Sequence, residues 1–318
     1  MPNVVLVHTP GLQSRDDFEK IVARIEALDK TTKAFIATNG EDNAEVNERI
    51  GAQPTLVFSP VEILKFKPAR GRVYQGGMVD KIAQYQRLLA LGLPTPKTKL
   101  LTKGDVFTEP EWGAYLVLKP FSPKLQSNGV GTYRIATKRL TFDLNINRMF
   151  DQYNVDGGTL VQEYVNTGPQ LEYNRVLTLF GEPLYSLRNH LAAPIDLDTS
   201  KFPTGTTAIA TQSYSADRLD ATMNADSRYL DLARSSYAAF PDRALQAIDI
   251  LRSQDSDRLY VLEMNLGGNT WHFSSGMIDD RVTSRQTREE FRQRKLKQFG
   301  AFDVVARTLA KRAVAEAL

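Results

Sequence analysis

Residues 246–271 read QAIDILRSQDSDRLYVLEMNLGGNTW, two apolar runs joined by a polar turn. Runs of this length and composition predict a pair of strands forming a hairpin. Alternate residues of a strand share a face, so Glu263 and Asn265 point the same way and Asp249, on the partner strand, can join them. Two carboxylates and an amide oxygen converging on one point form a hard-oxygen site suited to Mg2+, whose remaining positions go to water and phosphate oxygens. Without a cation the two carboxylates would repel and raise each other's pKa. Ile248, Ile250, Leu262 and Met264 supply the apolar part of the hairpin. The rival reading of the same residues is a pair of surface acids beside unrelated arginines.

The rest of the composition narrows the chemistry. With 318 residues and 42% hydrophobic content, the chain can bury a sizeable core in two or three packed units. A net charge of +3 suits anionic small molecules and falls short of a nucleic-acid footprint, so no nucleic-acid partner is expected. The absence of cysteine excludes disulfides, thiolate metal sites and cysteine nucleophiles, and three histidines leave little for zinc. Any metal should therefore be a hard cation. The opening MPNVVLVHTP carries neither a basic leader nor a membrane-length apolar run, and a cytoplasmic location is expected.

Upstream, apolar runs at 4–7, 34–37 and 55–58 alternate with helical patterns at 16–28 and 43–50, which predicts a small parallel α/β unit. His8 and the loop from Thr9 to Arg15 lie at a strand end, where such folds form clefts. A glycine-rich passage at 71–77 leads to a helical pattern at 79–91, stopped by GLPTPKT. AYLVLKPFSPKLQSNGVGTYRIA, residues 114–136, predicts a hairpin with a long tip. Runs at 159–165, 174–180 and 183–187 read as antiparallel strands. Residues 196–226 are polar with few patterns, 227–240 are helical, and 286–317 read as a helix or helix pair. Lys119 ends an apolar run just before Pro120, so its ammonium should project from a rigid strand end towards a phosphate. The loop 122–131 could cover that phosphate with backbone amides.

In order, these features resemble the ATP-grasp superfamily: a lysine on a helix before GLPTPK, LVLKP with its glycine loop, LVQEYV, EYNRVLTLFGEPLYSLRNH, AIDIL and LEMNLGGNTW. The likeness extends from about Val79 to Phe273 and is of the carboxylate-amine ligase type, similar to glutathione synthetase-like and ribosomal-protein-glutamate-ligase-like enzymes. It implies an α/β fold with α+β lobes, an ATP-grasp fold preceded by a small N-terminal parallel α/β domain. The expected division is 1–78 for the leading domain, 79–160 for the small lobe with its linker helix, and 161–318 for the large lobe with C-terminal helices.

The resemblance also implies roles. Lys81 and Lys119 look like the lysines that reach the nucleotide phosphates. Gln162, Glu163, Tyr164 and Val165 occupy the adenine-reading hinge, and Glu172 looks like the ribose-binding acid, although some relatives have an acid where this chain has Tyr173. Arg175 matches the arginine that stabilises charge on the transferring phosphoryl group, and Arg188 a substrate- or phosphate-binding arginine. Asp249, Glu263 and Asn265 match the magnesium ligands, with Glu263 bridging two ions. Gly267, Gly268 and Asn269 would offer amides to an anionic intermediate, while Trp271 and His272 either line an acceptor pocket or pack elsewhere.

The implied activity is an ATP-dependent ligase that forms an acyl phosphate and releases ADP and phosphate as an amine attacks. Its cofactors are ATP and Mg2+, and its partners a small-molecule carboxylate and amine, among them a peptide. A small-molecule kinase using the same site and a non-catalytic nucleotide-binding protein remain the alternatives. Phe291, Leu296, Phe299 and Phe302, beside the charged stretch SRQTREEFRQRKLKQFG, are expected to form a homo-oligomer interface.

Overall fold

The computed structural model describes residues 2–121, 132–140, 158–191, 206–209, 219–268, 271, 273 and 288–316. The leading unit is a parallel sheet in the order β2-β1-β3-β4, with β1 at Asn3–His8, β2 at Lys33–Thr38 and β3 at Thr55–Ser59. Helices α1 (Arg15–Leu28) and α2 (Ala44–Ile50) make the crossovers. The run VVLV is continuous because both faces of β1 are covered: Val4 and Leu6 meet Phe18 and Ile21 of α1, while Val5 and Val7 meet Ile50 and Phe66.

The glycine-rich passage proves to hold a fourth parallel strand, β4 (Gly71–Gln75), along the edge beside β3. Its apolar alternation is absent because Arg72 and Val73 are exposed and only Tyr74 is buried. A side chain at Gly71 would stand 1.9 Å from the backbone oxygen of Thr55, so the close approach of the two strands requires glycine there.

Helix α3 (Lys81–Ala90) starts where the Asp80 side chain accepts from the amide of Ala83 at 3.0 Å. A sheet in the order β11-β7-β6-β8-β5 follows, from β5 (Thr98–Leu100), β6 (Tyr115–Pro120), β7 (Tyr133–Ala136), β8 (Thr159–Glu163) and β11 (Thr206–Ala208). The hairpin of β6 with β7 is antiparallel as expected, and its tip lies outside the described residues. A short helix, α4 (Glu109–Trp112), closes this sheet's own core of Phe107, Trp112, Leu116, Leu118, Ile135 and Val161. The expected boundary at 160/161 falls inside β8, and β11 returns to this sheet from the segment read as unpatterned. These short strands carry too little periodicity to be seen in the sequence.

The last sheet is antiparallel in the order β12-β10-β9-β13-β14: β9 (Glu172–Leu179), β10 (Glu182–Leu191), β12 (Leu219–Met223), β13 (Leu245–Arg252) and β14 (Leu259–Asn265). Two irregularities break its register. In β10 the pairing steps from Pro183 to Tyr185, leaving Leu184 out of register. In β14, Glu263 opposes Asp249 and Val261 opposes Ile250, so Leu262 is the extra residue of a bulge.

Helix α5 (Ser227–Ser236) and α3 cover one face of that sheet, with Leu88, Tyr229 and Ala233 against Val176, Ile248 and Ile250. Part of the other face joins the leading sheet in a common core: Val4, Leu6, Phe18 and Phe58 share it with Leu177, Tyr185, Leu187, Trp271 and Phe273. Helices α6 (Arg288–Gln298) and α7 (Ala301–Glu316) complete it through Phe291, Phe302, Val305 and Leu309. A partly buried ion pair, Arg292 to Asp17 at 2.5 Å, ties α6 to α1. The expected interface residues are thereby accounted for within the chain. Phe291 and Phe302 are core, Leu296 packs on the same cluster and Phe299 on that of α3 and α5, because α6 and α7 fold back over the sheets. Among the described residues no helix is long and apolar enough to cross a membrane.

Candidate functional site

A solvent-open cleft of about 890 Å3 lies between the middle and last sheets, lined by Lys81, Val117, Lys119, Gln162, Glu163, Tyr164, Val165, Glu172, Arg175, Asp249 and Glu263, among others. From the middle sheet, pairing of Val117 with Gln162 and the two-residue step from Val117 to Lys119 put these three side chains on one face. Lys119 is buried, and its ammonium donates to Oε1 of Gln162 at 2.7 Å. Burial, and then the nearby charge of Lys81, lowers its pKa to about 7. Glu163 turns to Lys97, whose amide donates to its carboxylate at 3.2 Å while the Glu163 amide donates to the Lys97 carbonyl at 2.8 Å. Tyr164 stands edge-on to Tyr115, and the guanidinium of Arg134 lies over both rings, 3.7 Å from the Tyr115 centroid and 4.8 Å from that of Tyr164.

From the last sheet, Asp249 opposes Arg175 on one side and Glu263 on the other, so all three share a face. Arg175 donates from Nε and Nη2 to the two oxygens of Asp249, each at 2.7 Å. Asn265 donates to Asp249 at 3.1 Å. Lys81 reaches from α3 to Glu263 at 2.9 Å. Attraction to Lys81 holds the Glu263 carboxyl down at about 2, although burial opposes this. Burial disfavours the charges of Lys81 and Arg175 too, but Glu263 and Asp249 outweigh it and both pKa values are raised.

The structure brings together Lys81, Lys119, Gln162, Glu163, Tyr164, Val165, Glu172, Arg175, Asp249 and Glu263, with Asn265 next to Asp249. It does not bring Arg188 to them. An unbroken hairpin would place Arg188 on the face of Arg175, but the irregularity at Leu184 pairs it with Asn174 and turns it to the opposite face. There it binds Glu172 at the cleft's edge, in a half-exposed pair at 2.5 Å. Trp271 is fully buried among Phe18, Phe58 and Phe273, so it is core rather than pocket wall. His8 is likewise buried, with Nε2 2.9 Å from the Gln13 carbonyl. Gly268 packs on Pro60 of the leading unit. Asn269, His272 and the loop 122–131 lie outside the described residues.

The sequence alone does not single out Tyr85 and Gln84, yet both tie α3 to this site. Gln84 accepts from the amide of Met264 at 3.0 Å, and the Tyr85 hydroxyl donates to the Leu262 carbonyl at 2.9 Å. A signal does exist: Lys81, Gln84 and Tyr85 stand at helical spacing, on one face of α3.

Three cations, Lys81, Lys119 and Arg175, thus face two carboxylates, Asp249 and Glu263, in one cleft. Cations grouped around Asp249 and Glu263 suit phosphate oxygens, and paired carboxylates with an adjacent amide suit an oxygen-seeking divalent cation.

The sequence matches no protein-family model, and no curated protein matches it. Solved structures do match, and they define the fold: that of the ATP-grasp proteins. D-cycloserine synthetase DcsG is 16% identical, with 98% of this chain and 99% of that chain covered and a TM-score of 0.50. The ATP-grasp ligase PsnB complexed with minimal precursor is 14% identical, with coverage of 98% and 100% and a TM-score of 0.52. PsnB complexed with a phosphomimetic variant of minimal precursor, Mg and ADP is 14% identical, with coverage of 98% and 97% and a TM-score of 0.50. The chain therefore has the ATP-grasp fold, over its whole described length.

Proposed function

We propose that this protein is an ATP-dependent carboxylate-amine ligase. The observation that supports it most is the meeting of Lys81, Lys119 and Arg175 with Asp249 and Glu263 in one cleft, supplied by a helix and two separate sheets. Lys81 and Lys119 hold the nucleotide phosphates, and the hinge residues Gln162, Glu163, Tyr164 and Val165 take the base, with Glu172 at the ribose. Asp249, Glu263 and Asn265 would hold Mg2+, which would supply charge neutralisation on the phosphate oxygens.

A substrate carboxylate oxygen attacks the γ-phosphorus, and the bond to the bridging oxygen breaks to release ADP. Arg175, permanently charged and held rigidly by Asp249, stabilises the charge that develops on the transferring group. An amine then adds to the acyl phosphate, loses its proton and expels phosphate. The site offers fixed cations where charge develops and needs no covalent enzyme intermediate. Amino acids and peptides are the proposed substrates, and the similar PsnB structure holds a minimal precursor.

The decisive measurement is phosphate release in a matrix of amino acids and dipeptides with Mg·ATP. ADP and phosphate should appear only with a carboxylate present, and hydroxylamine should trap a hydroxamate. AMP with pyrophosphate would overturn the reading. A stable phosphorylated alcohol without hydroxamate would make the protein a kinase.

A further inference from the structure

We propose that Tyr85 is a positioning residue whose hydroxyl holds both the bulge that presents Glu263 and the amide that orients Lys119. The proposal rests on reading the cleft as the site of the nucleotide phosphates.

Tyr85 is 4% exposed, and is not among the residues lining the cleft, yet its oxygen joins the two lobes. It donates to the carbonyl of Leu262 at 2.9 Å and accepts from Nε2 of Gln162 at 2.8 Å. Leu262 is the extra residue of the β14 bulge, and a carbonyl displaced from the ladder needs another donor. In a regular strand Val261 and Glu263 would share a face. The bulge separates them, sending Val261 into the core with Ile250 and Glu263 into the cleft.

On the other lobe, Gln162 must offer its oxygen to the Lys119 ammonium, so its NH2 turns towards two hydroxyl oxygens, Tyr85 and Thr98, each at 2.8 Å. Both hydroxyl protons are already committed: that of Tyr85 to Leu262 and that of Thr98 to the carbonyl of Pro96 at 3.0 Å. A flipped amide would set NH2 against NH3+ and find no donor on the other side. The orientation of Lys119 is therefore fixed two bonds away by Tyr85.

The test compares Mg·ADP with adenosine, which lacks every group that Lys119 and Glu263 would serve. Tyr85→Phe should weaken Mg·ADP about tenfold, the worth of one buried hydrogen bond, and leave adenosine affinity by ligand-observed NMR unchanged. Thr98→Val removes the other acceptor of the Gln162 amide and should show a selective loss in the same direction, which keeps the idea testable if Tyr85→Phe folds poorly. Gln84→Met removes a neighbouring bond from the same helix to the same strand, and should lower the melting temperature without changing the ratio of the two affinities. The proposal is overturned if Tyr85→Phe and Thr98→Val bind Mg·ADP as the parent does. It is equally overturned if Gln84→Met shifts the ratio as they do, since Tyr85 would then be simple stitching. A parent chain that binds no Mg·ADP would overturn the nucleotide reading itself, and this inference with it.

Discussion

Arg175 and Asp249 meet across the β9–β13 pairing in a two-pronged contact, each prong 2.7 Å long, with both side chains almost wholly removed from solvent. Breaking such a pair leaves a buried charge uncompensated. Asp249→Asn should therefore cost about 3–5 kcal/mol in urea denaturation and abolish phosphate release. Replacing both partners, with Arg175→Met and Asp249→Leu, should recover much of the stability and none of the activity. An Asp249→Asn protein with parental turnover would remove Asp249 from the site.

Among the described residues, Lys119 is the group whose protonation is most displaced towards neutrality, from 10.5 to about 7. Between those values the unfolded chain holds a proton that the folded chain lacks, so this residue's contribution to stability grows as pH rises through the window and shrinks as it falls. A phosphate beside it reverses the balance by favouring the ammonium. Nucleotide binding at pH 8 should therefore draw in a proton, visible as a dependence of binding heat on the ionisation enthalpy of the buffer. Lys119→Met should abolish the uptake, and its absence from the parent protein would refute the assignment.

Gly268 follows strand β14 with φ +81, and a Cβ there would lie 1.6 Å from the backbone oxygen of Pro60. The contact is backbone on backbone, so no rotamer change relieves it. Gly268→Ala should cost about 1–3 kcal/mol or more, read as a lower melting temperature. A parental melting curve would show that Pro60 and Gly268 are not in contact in solution.

Much of this architecture is legible in the sequence, and the losses have identifiable causes. The parallel strands show because VVLV, AFIA and TLVF are buried on both faces and terminate at turn residues. Asp249, Glu263 and Asn265 come together as alternation requires. Arg188 does not, because one residue out of register at Leu184 inverts everything beyond it, and Leu184 looks like any strand leucine. The bulge at Leu262 is equally silent, and it happens to preserve the face of Glu263 while moving Val261. Edge strand β4 escapes notice because its exposed residues erase the period. Phe291 and Phe302 read as an unclaimed apolar stripe because the surface they cover is formed by strands far away in the chain.

That last arrangement bears on how the protein comes into being on the ribosome. Val4 and Leu6 lie in the same core as Phe302, Val305 and Leu309. During synthesis the leading sheet can pair its strands early, but one apolar face, covered only in part by α1, stays incomplete until the final helices have emerged. The middle sheet waits less, since the described residues of its core lie between Leu101 and Val161. The first unit made is thus among the last to be finished, and it is during this interval that a chaperone or an aggregating neighbour would find an open face.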